Sequence, residues 1–393
     1  MRIQTWLYSI AQGLALTSSV ISVSVAPLVG KMLAPLASLS TVSYGAQFAM
    51  VIACSYLLSM SMKRFGRKPV FYLGVCSLAL GGMLGAASIY LHNFTLNVLA
   101  HVFFGLSVSA FAYFRFAATD GLKTLEKAKV ISLVTLGGIA AAFIGPMIAK
   151  NGRLLFDDYV FSGSYMAFVA IALLILVILL FLPAQDRPDS QAPLQKTTIA
   201  SDNKIFSLPL SVAIYASGFG YMLMALLMMQ SSLKLSAMGT EFGDIMFVIQ
   251  CHVVAMFLPS LFMGRIISAT SPQLVILCGY LTMFVAMLIA VNIVSYNGVL
   301  VALIGVGVGW NMLYVGGSSM VATLPGDAHK LQGVNESAVA FLNTIGAFSA
   351  GALFYTIGWQ NSNYVAMFLL MPGIVLLILN RYSKVVEHNS RLI

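Results

Sequence analysis

Apolar residues in this chain recur in unbroken runs of about 20, long enough for a helix rising about 1.5 Å per residue to cross a hydrocarbon layer of about 30 Å. Short polar breaks separate the runs. Backbone groups in lipid must bond within the spanning structure, which leaves helices or a closed barrel. Barrel strands alternate polar and apolar residues over about ten positions, whereas YMAFVAIALLILVILLFLP, at 165–183, is continuous. The pattern predicts an all-α membrane protein with twelve transmembrane helices, at 4–29, 39–62, 69–91, 94–118, 128–149, 163–183, 205–230, 243–263, 272–294, 297–320, 334–357 and 361–380. One longer polar segment, AQDRPDSQAPLQKTTIASDNK at 184–204, is rich in Pro, Asp, Gln and Ser. It reads as a cytoplasmic linker between two six-helix bundles, 1–183 and 205–393.

Composition sharpens this picture. The 393 residues are 60% hydrophobic and 8% charged, with a mean hydropathy of +0.93, where soluble chains carry roughly 25% charge. Placing the N-terminus in the cytoplasm puts seventeen of the 21 basic residues on the inside, leaving Lys31, Lys150, Arg153 and Lys234 outside. The net charge of +9 is therefore a topology signal, and no nucleic-acid partner is needed to explain it. The lipid bilayer is the expected partner, with both termini cytoplasmic. The four cysteines, Cys54, Cys76, Cys251 and Cys278, sit in apolar runs without metal-ligand spacing and read as small buried hydrophobes. The N-terminal apolar stretch exceeds a signal peptide's core and reads as a retained first helix.

The scarce charge is concentrated in SMKRFGRKPVF, at 61–71, a turn between the second and third spans. A shift of 205 positions lays KPVFYLG (68–74) on QLVILCG (273–279), matching Val70 to Val275 and Gly74 to Gly279. It also lays this turn on GRIISATSP in the second half, which points to duplication, and parallel repeats are common in transporters. With these features the sequence resembles the major facilitator superfamily over nearly its whole length. That family's loop reads Gly-x-Leu-Ala-Asp-Arg-x-Gly-Arg-Lys. Arg64, Gly66, Arg67 and Lys68 match it, Ser59 stands for the first glycine and Lys63 for the aspartate. AHVFFGLSVSAF resembles the fourth-helix Arg-x-x-x-Gly pattern, with His101 in the arginine's place and Gly105 kept. GGIAAAFIGP keeps the Gly-Pro pair of the antiporter motif as Gly145 and Pro146, and RFAATDG and GWNMLYVGGSSM are similar to the drug-efflux branch. The resemblance implies two six-helix bundles that rock around a solute cavity. It implies proton coupling at the position of His101 and a latch between the second and eleventh helices. With Lys63 in the aspartate's place, the latch expected here is a charge-swapped pair of Lys63 with Glu336, in a loop that includes Arg64, Gly66, Arg67 and Asp120.

Ionisable groups inside a span cost about 2.5–3.5 kcal/mol each, so each is a functional candidate. At helical spacing His101, Gly105, Val108, Ala112 and Arg115 share one face of the fourth span, about 21 Å long. Arg115 is expected to bind an anionic group, pair with Asp120, or snorkel to headgroups. His252 lies near the middle of the eighth span, where a cavity or proton-coupling role competes with plain packing. Gly307, Asn311, Tyr314 and Ser318 share a face of the tenth span beside Trp310, a set suited either to an organic-solute pocket or to interhelical hydrogen bonds. Gln12, Tyr44 and Gln47 are further candidates. The first span lacks a carboxylate, which disfavours a strongly cationic substrate.

These readings combine into a secondary active transporter of a small organic solute, working by alternating access with protons as the coupling ion. Efflux is the expected direction, with uptake of a metabolite or metallophore as the alternative. A membrane-embedded enzyme or sensor is a further class, set aside because no nucleophile–base pair, metal cluster or soluble domain stands out. No cofactor is expected, and a monomer is.

Overall fold

The computed structural model describes residues 3–118, 124–182, 207–325 and 328–390. Asp120 and the 184–204 segment lie outside the described residues, as do the side chains of 116, 124–136, 328–330 and 383–390. The chain divides into two compact units, Met1–Asp202 and Asn203–Ile393.

The first unit contains α1 (Ile3–Leu33), α2 (Val42–Phe65), α3 (Arg67–Tyr90), α4 (Phe94–Phe111), the short α5 (Phe114–Ala117), α6 (Thr124–Gly152) and α7 (Ser162–Phe181). The second contains α8 (Leu208–Ala237), α9 (Phe242–Phe257), α10 (Ser260–Ala269), α11 (Pro272–Asn292), α12 (Tyr296–Ala322), α13 (Ala328–Thr356) and α14 (Gly358–Ser390). Among the described residues eleven helical segments, with α9 and α10 taken as one, are long and apolar enough to span a membrane. Helix α6 supplies a twelfth of matching length. Side-chain caps start several of them: Asn93, Ser207, Ser271 and Ser295 each accept from a backbone N–H three residues on.

The two units pack alike. In the first, α1 lies against α6, α2 against α4, and α3 against α4 and α7. In the second, α8 lies against α13, α9 against α12, and α11 against α12 and α14. They differ most in one pairing: α12 packs along α8 far more extensively than α4 packs along α1. Small residues permit the close approaches. A Cβ on Gly137 would sit 2.8 Å from the Gly13 Cα, and one on Gly105 would strike the Gln47 carbonyl.

Large apolar side chains such as Leu57, Phe181, Phe341 and Phe368 lie on the exposed surface, while serine, asparagine, glutamine and histidine occur inside. Lipid makes this arrangement favourable, because a polar side chain finds partners only within the bundle. The cysteines need a correction. Cys54 is buried, but Cys76 and Cys278 are exposed, because an apolar run supplies lipid-facing and core-facing positions alike.

Candidate functional site

Within the first unit a chain of hydrogen bonds crosses five helices. Gln47 Oε1 on α2 accepts from Ser22 of α1 at 2.7 Å and lies 3.0 Å from His101 Nδ1 on α4. His101 Nε2 is 3.2 Å from the Tyr165 hydroxyl on α7, which accepts from Asn97 Nδ2 at 2.8 Å. Asn97 also reaches Ser88 on α3 at 3.3 Å. The donors and acceptors fix the assignment: an amide oxygen can only accept, so Nδ1 carries the hydrogen. Nε2 then accepts from Tyr165, and a neutral ring satisfies both ends. His101 is fully buried between these partners. A further proton at Nε2 would force the phenol to turn away and lose its acceptor.

His252 is equally buried but built differently. Its Nδ1 donates to the Leu303 carbonyl of α12 at 2.7 Å. Its Nε2 has no hydrogen-bond partner among the described residues. Gly307 makes the approach possible, since a Cβ there would lie 2.8 Å from the His252 carbonyl and 3.1 Å from Nδ1. One turn on, Asn311 Nδ2 donates to the Met256 carbonyl at 2.7 Å and to Ser260 Oγ. These two acceptors stand on either side of the interruption between α9 and α10 at Leu258 and Pro259. Gly307 and Asn311 therefore serve interhelical contact.

Trp310 and Tyr314 face a different group. Their rings are parallel within 4° at 5.6 Å, and Tyr221 of α8 meets them edge-on at 4.9 and 5.4 Å. Phe257 closes on Trp310 at 6.4 Å. Trp310 is 4% exposed, and its indole N–H lacks a partner among the described residues, an omission that costs about 1–3 kcal/mol. At the hydroxyl of Tyr314 stands Glu336 of α13, whose two oxygens lie 3.4 and 3.5 Å away. Gln332, one turn earlier, donates to Glu336 Oε1 at 3.0 Å. Tyr221, Phe257 and Gln332 were not legible as site residues. Gln332 alone left a signal, its i, i+4 spacing to Glu336.

The remaining candidates scatter. Arg115 does not continue the face of His101: α4 stops at Phe111, a turn intervenes, and α5 carries the exposed arginine. The single straight face expected from the sequence therefore does not exist. Tyr44 is buried against Phe48 at 5.1 Å, and Gln12 is half-buried on α1 with its side-chain oxygen unpartnered among the described residues. Gly145 fits against Val20, where a Cβ would lie 2.7 Å from Cγ1, and Pro146 follows it inside α6.

In the basic turn, Gly66 joins α2 to α3 with φ +87°, a backbone conformation glycine adopts without strain. Lys63 and Arg64 are exposed on the last turn of α2, where the helix dipole favours cations. Arg67 and Lys68 open α3, where the dipole opposes them, and Lys68 compensates by donating to the Leu182 carbonyl just beyond α7 at 2.7 Å. Lys63 and Glu336 belong to different units.

The sequence profile described as Major Facilitator Superfamily matches residues 6–331. The chain belongs to the major facilitator superfamily. It is a transporter of small solutes, not an enzyme, and a multi-pass membrane protein. It is similar to the riboflavin transporter RfnT of Brucella anthropi, 29% identical over 381 residues, which cover 96% of each chain. Two solved structures share the fold. A D-xylose–proton symporter superposes with a TM-score of 0.74 at 12% identity, over 96% of this chain and 97% of that one. The nucleoside transporter NupG gives 0.69 at 14% identity, over 96% and 98%.

Proposed function

We propose that this transporter imports riboflavin, or a flat heteroaromatic solute closely like it, across the bacterial inner membrane, driven by protons. The observation that carries this reading is the end-to-end similarity to the riboflavin transporter of Brucella anthropi. The parallel Trp310 and Tyr314 rings with Tyr221 across their edges support it, because a flat π-system stacks on aromatic faces. The efflux expectation rests on Gly145 and Pro146 and on the likeness of RFAATDG and GWNMLYVGGSSM to the drug-efflux branch, and the packing of Gly145 on Val20 gives the first of these a local reason independent of direction. A vitamin, moreover, is a solute that cells gain by taking it in.

The experiment is growth of a bacterium unable to make or import riboflavin, supplied with this gene and low external riboflavin, together with uptake of labelled riboflavin. Growth and uptake that collapse with a protonophore are expected. No uptake in membranes that hold the protein would remove the substrate. Orientation is tested separately with Ser190→Cys and Asn361→Cys. Both termini and the 184–204 segment are assigned to the cytoplasm, so an impermeant thiol reagent applied to intact cells should label position 361 and spare position 190.

A further inference from the structure

The polar groups around Glu336 have an order the transport reading does not use. Tyr314 offers a hydroxyl donor, Glu336 an acceptor pair and Gln332 an amide donor, with both donors already directed at the carboxyl. All three side chains are half-buried, so the set is reachable. The Tyr314 contacts, at 3.4 and 3.5 Å, are long for O–H···O bonds, whose usual separation is about 2.7–2.8 Å. Donor, acceptor, donor is the complement of a cyclic imide edge, which presents carbonyl, N–H, carbonyl. The pyrimidine ring of a flavin carries that edge.

We infer that Tyr314, Glu336 and Gln332 read the imide edge of the transported ring, beside the aromatic group of Trp310 and Tyr221. The imide N–H donates to Glu336, and the flanking carbonyls accept from Tyr314 and Gln332. The buried indole N–H of Trp310, without an acceptor in this state, is a further donor within the same cluster. Five residues from α8, α12 and α13 thereby form a specificity site inside the second unit. The sugar-alcohol tail of the vitamin is not recognised by this set. The inference rests on the flavin reading above, and the two fail differently.

The test uses the full chain in nanodiscs and the quenching of flavin fluorescence on binding. The probes are riboflavin and 3-methylriboflavin, which differ only in the imide N–H. A site built to bond a hydrogen rejects the analogue that lacks it, while apolar contact does not discriminate so sharply. Wild-type protein should prefer riboflavin by about tenfold or more. Glu336→Ala should bring that preference close to unity, chiefly by weakening riboflavin, and Gln332→Ala should reduce it. A change in the ratio of two affinities is not produced by general loosening of the fold, and 3-methylriboflavin binding serves as the control that each variant is intact. If wild-type protein binds no flavin, the substrate reading fails and takes the site with it. If it binds riboflavin with no preference over the methylated ring, or if Glu336→Ala keeps the wild-type ratio, transport of flavin stands and the imide site is overturned.

Discussion

The two buried histidines occupy comparable depths in two units that pack alike, yet their surroundings are opposite. His101 has a partner at each nitrogen, drawn from α2 and α7, inside a bonded chain that runs from Ser22 to Ser88. His252 is held at one nitrogen by a backbone carbonyl and left open at the other. A ring bonded at both nitrogens ties its helices together and resists change, because turning it gives up a bond at each end. An unpartnered nitrogen can take a proton without breaking a hydrogen bond. The first unit therefore reads as scaffold around its histidine, while in the second one nitrogen of the histidine and the indole N–H of Trp310 lack a partner among the described residues.

The sharpest way to break this comparison is to remove each ring in turn. His101→Leu takes one of two donors from Gln47 Oε1, which keeps Ser22, and leaves the Tyr165 hydroxyl hydrogen without its acceptor, at about 1–3 kcal/mol for the group left unpaired, so thermal unfolding in detergent should show a clear loss. His252→Leu gives up one bond to a carbonyl and should cost clearly less. Equal losses would dissolve the distinction. The second experiment concerns titration. His252→Gln keeps a donor for the Leu303 carbonyl but cannot titrate, so the pH–rate profile of riboflavin uptake should lose its inflection, while His101→Gln should keep it. The reverse result would move coupling to the first unit, where the family resemblance put it.

Smaller effects compare the basic turn of the first unit with its echo in the second, which carries Arg265 alone and where Gln273 stands opposite Lys68. Lys68→Met removes the bond to Leu182 and should cost about 1 kcal/mol, visible as a lower melting temperature, while Gln273→Met should be neutral. The smallest effect concerns the exposed Lys63, for which the family resemblance implies a latch role. An ion pair of an exposed side chain contributes about 0–1 kcal/mol, so Lys63→Glu should slow turnover by no more than about tenfold, and Lys63→Gln should do less. Unchanged turnover in both would leave Lys63 as a headgroup anchor.

Hydropathy carried the architecture because it reports length, and length is what a membrane selects. It could not say which face of a helix turns inward. In a soluble bundle the polar side marks the solvent, but here lipid accepts apolar residues on the outside and the core accepts them as well. Cys76 and Cys278 were misassigned for that reason. The same blindness hid the interruption after Phe111, which no proline announces, and so Arg115 was placed on a face that ends before it. Trp310 and Tyr314 were legible because aromatic and polar types stand out in a small-residue helix. Their neighbours Tyr221 and Gln332 arrive from α8 and α13, and only the packing of those helices on one another brings them together. Asn311 was grouped with them by spacing, but its amide points to α9 and α10.

That amide acts as a splint. The eighth span is fractured at Leu258 and Pro259, and Asn311 grips the fragment on each side, through the Met256 carbonyl and Ser260. Its own helix carries Trp310 immediately before it and Tyr314 three positions after. A solute that pulls on those rings therefore pulls on the splint, and both fragments of the broken span must travel with α12 or release it. The fracture is where a push on the aromatic rings becomes a bend in a neighbouring helix.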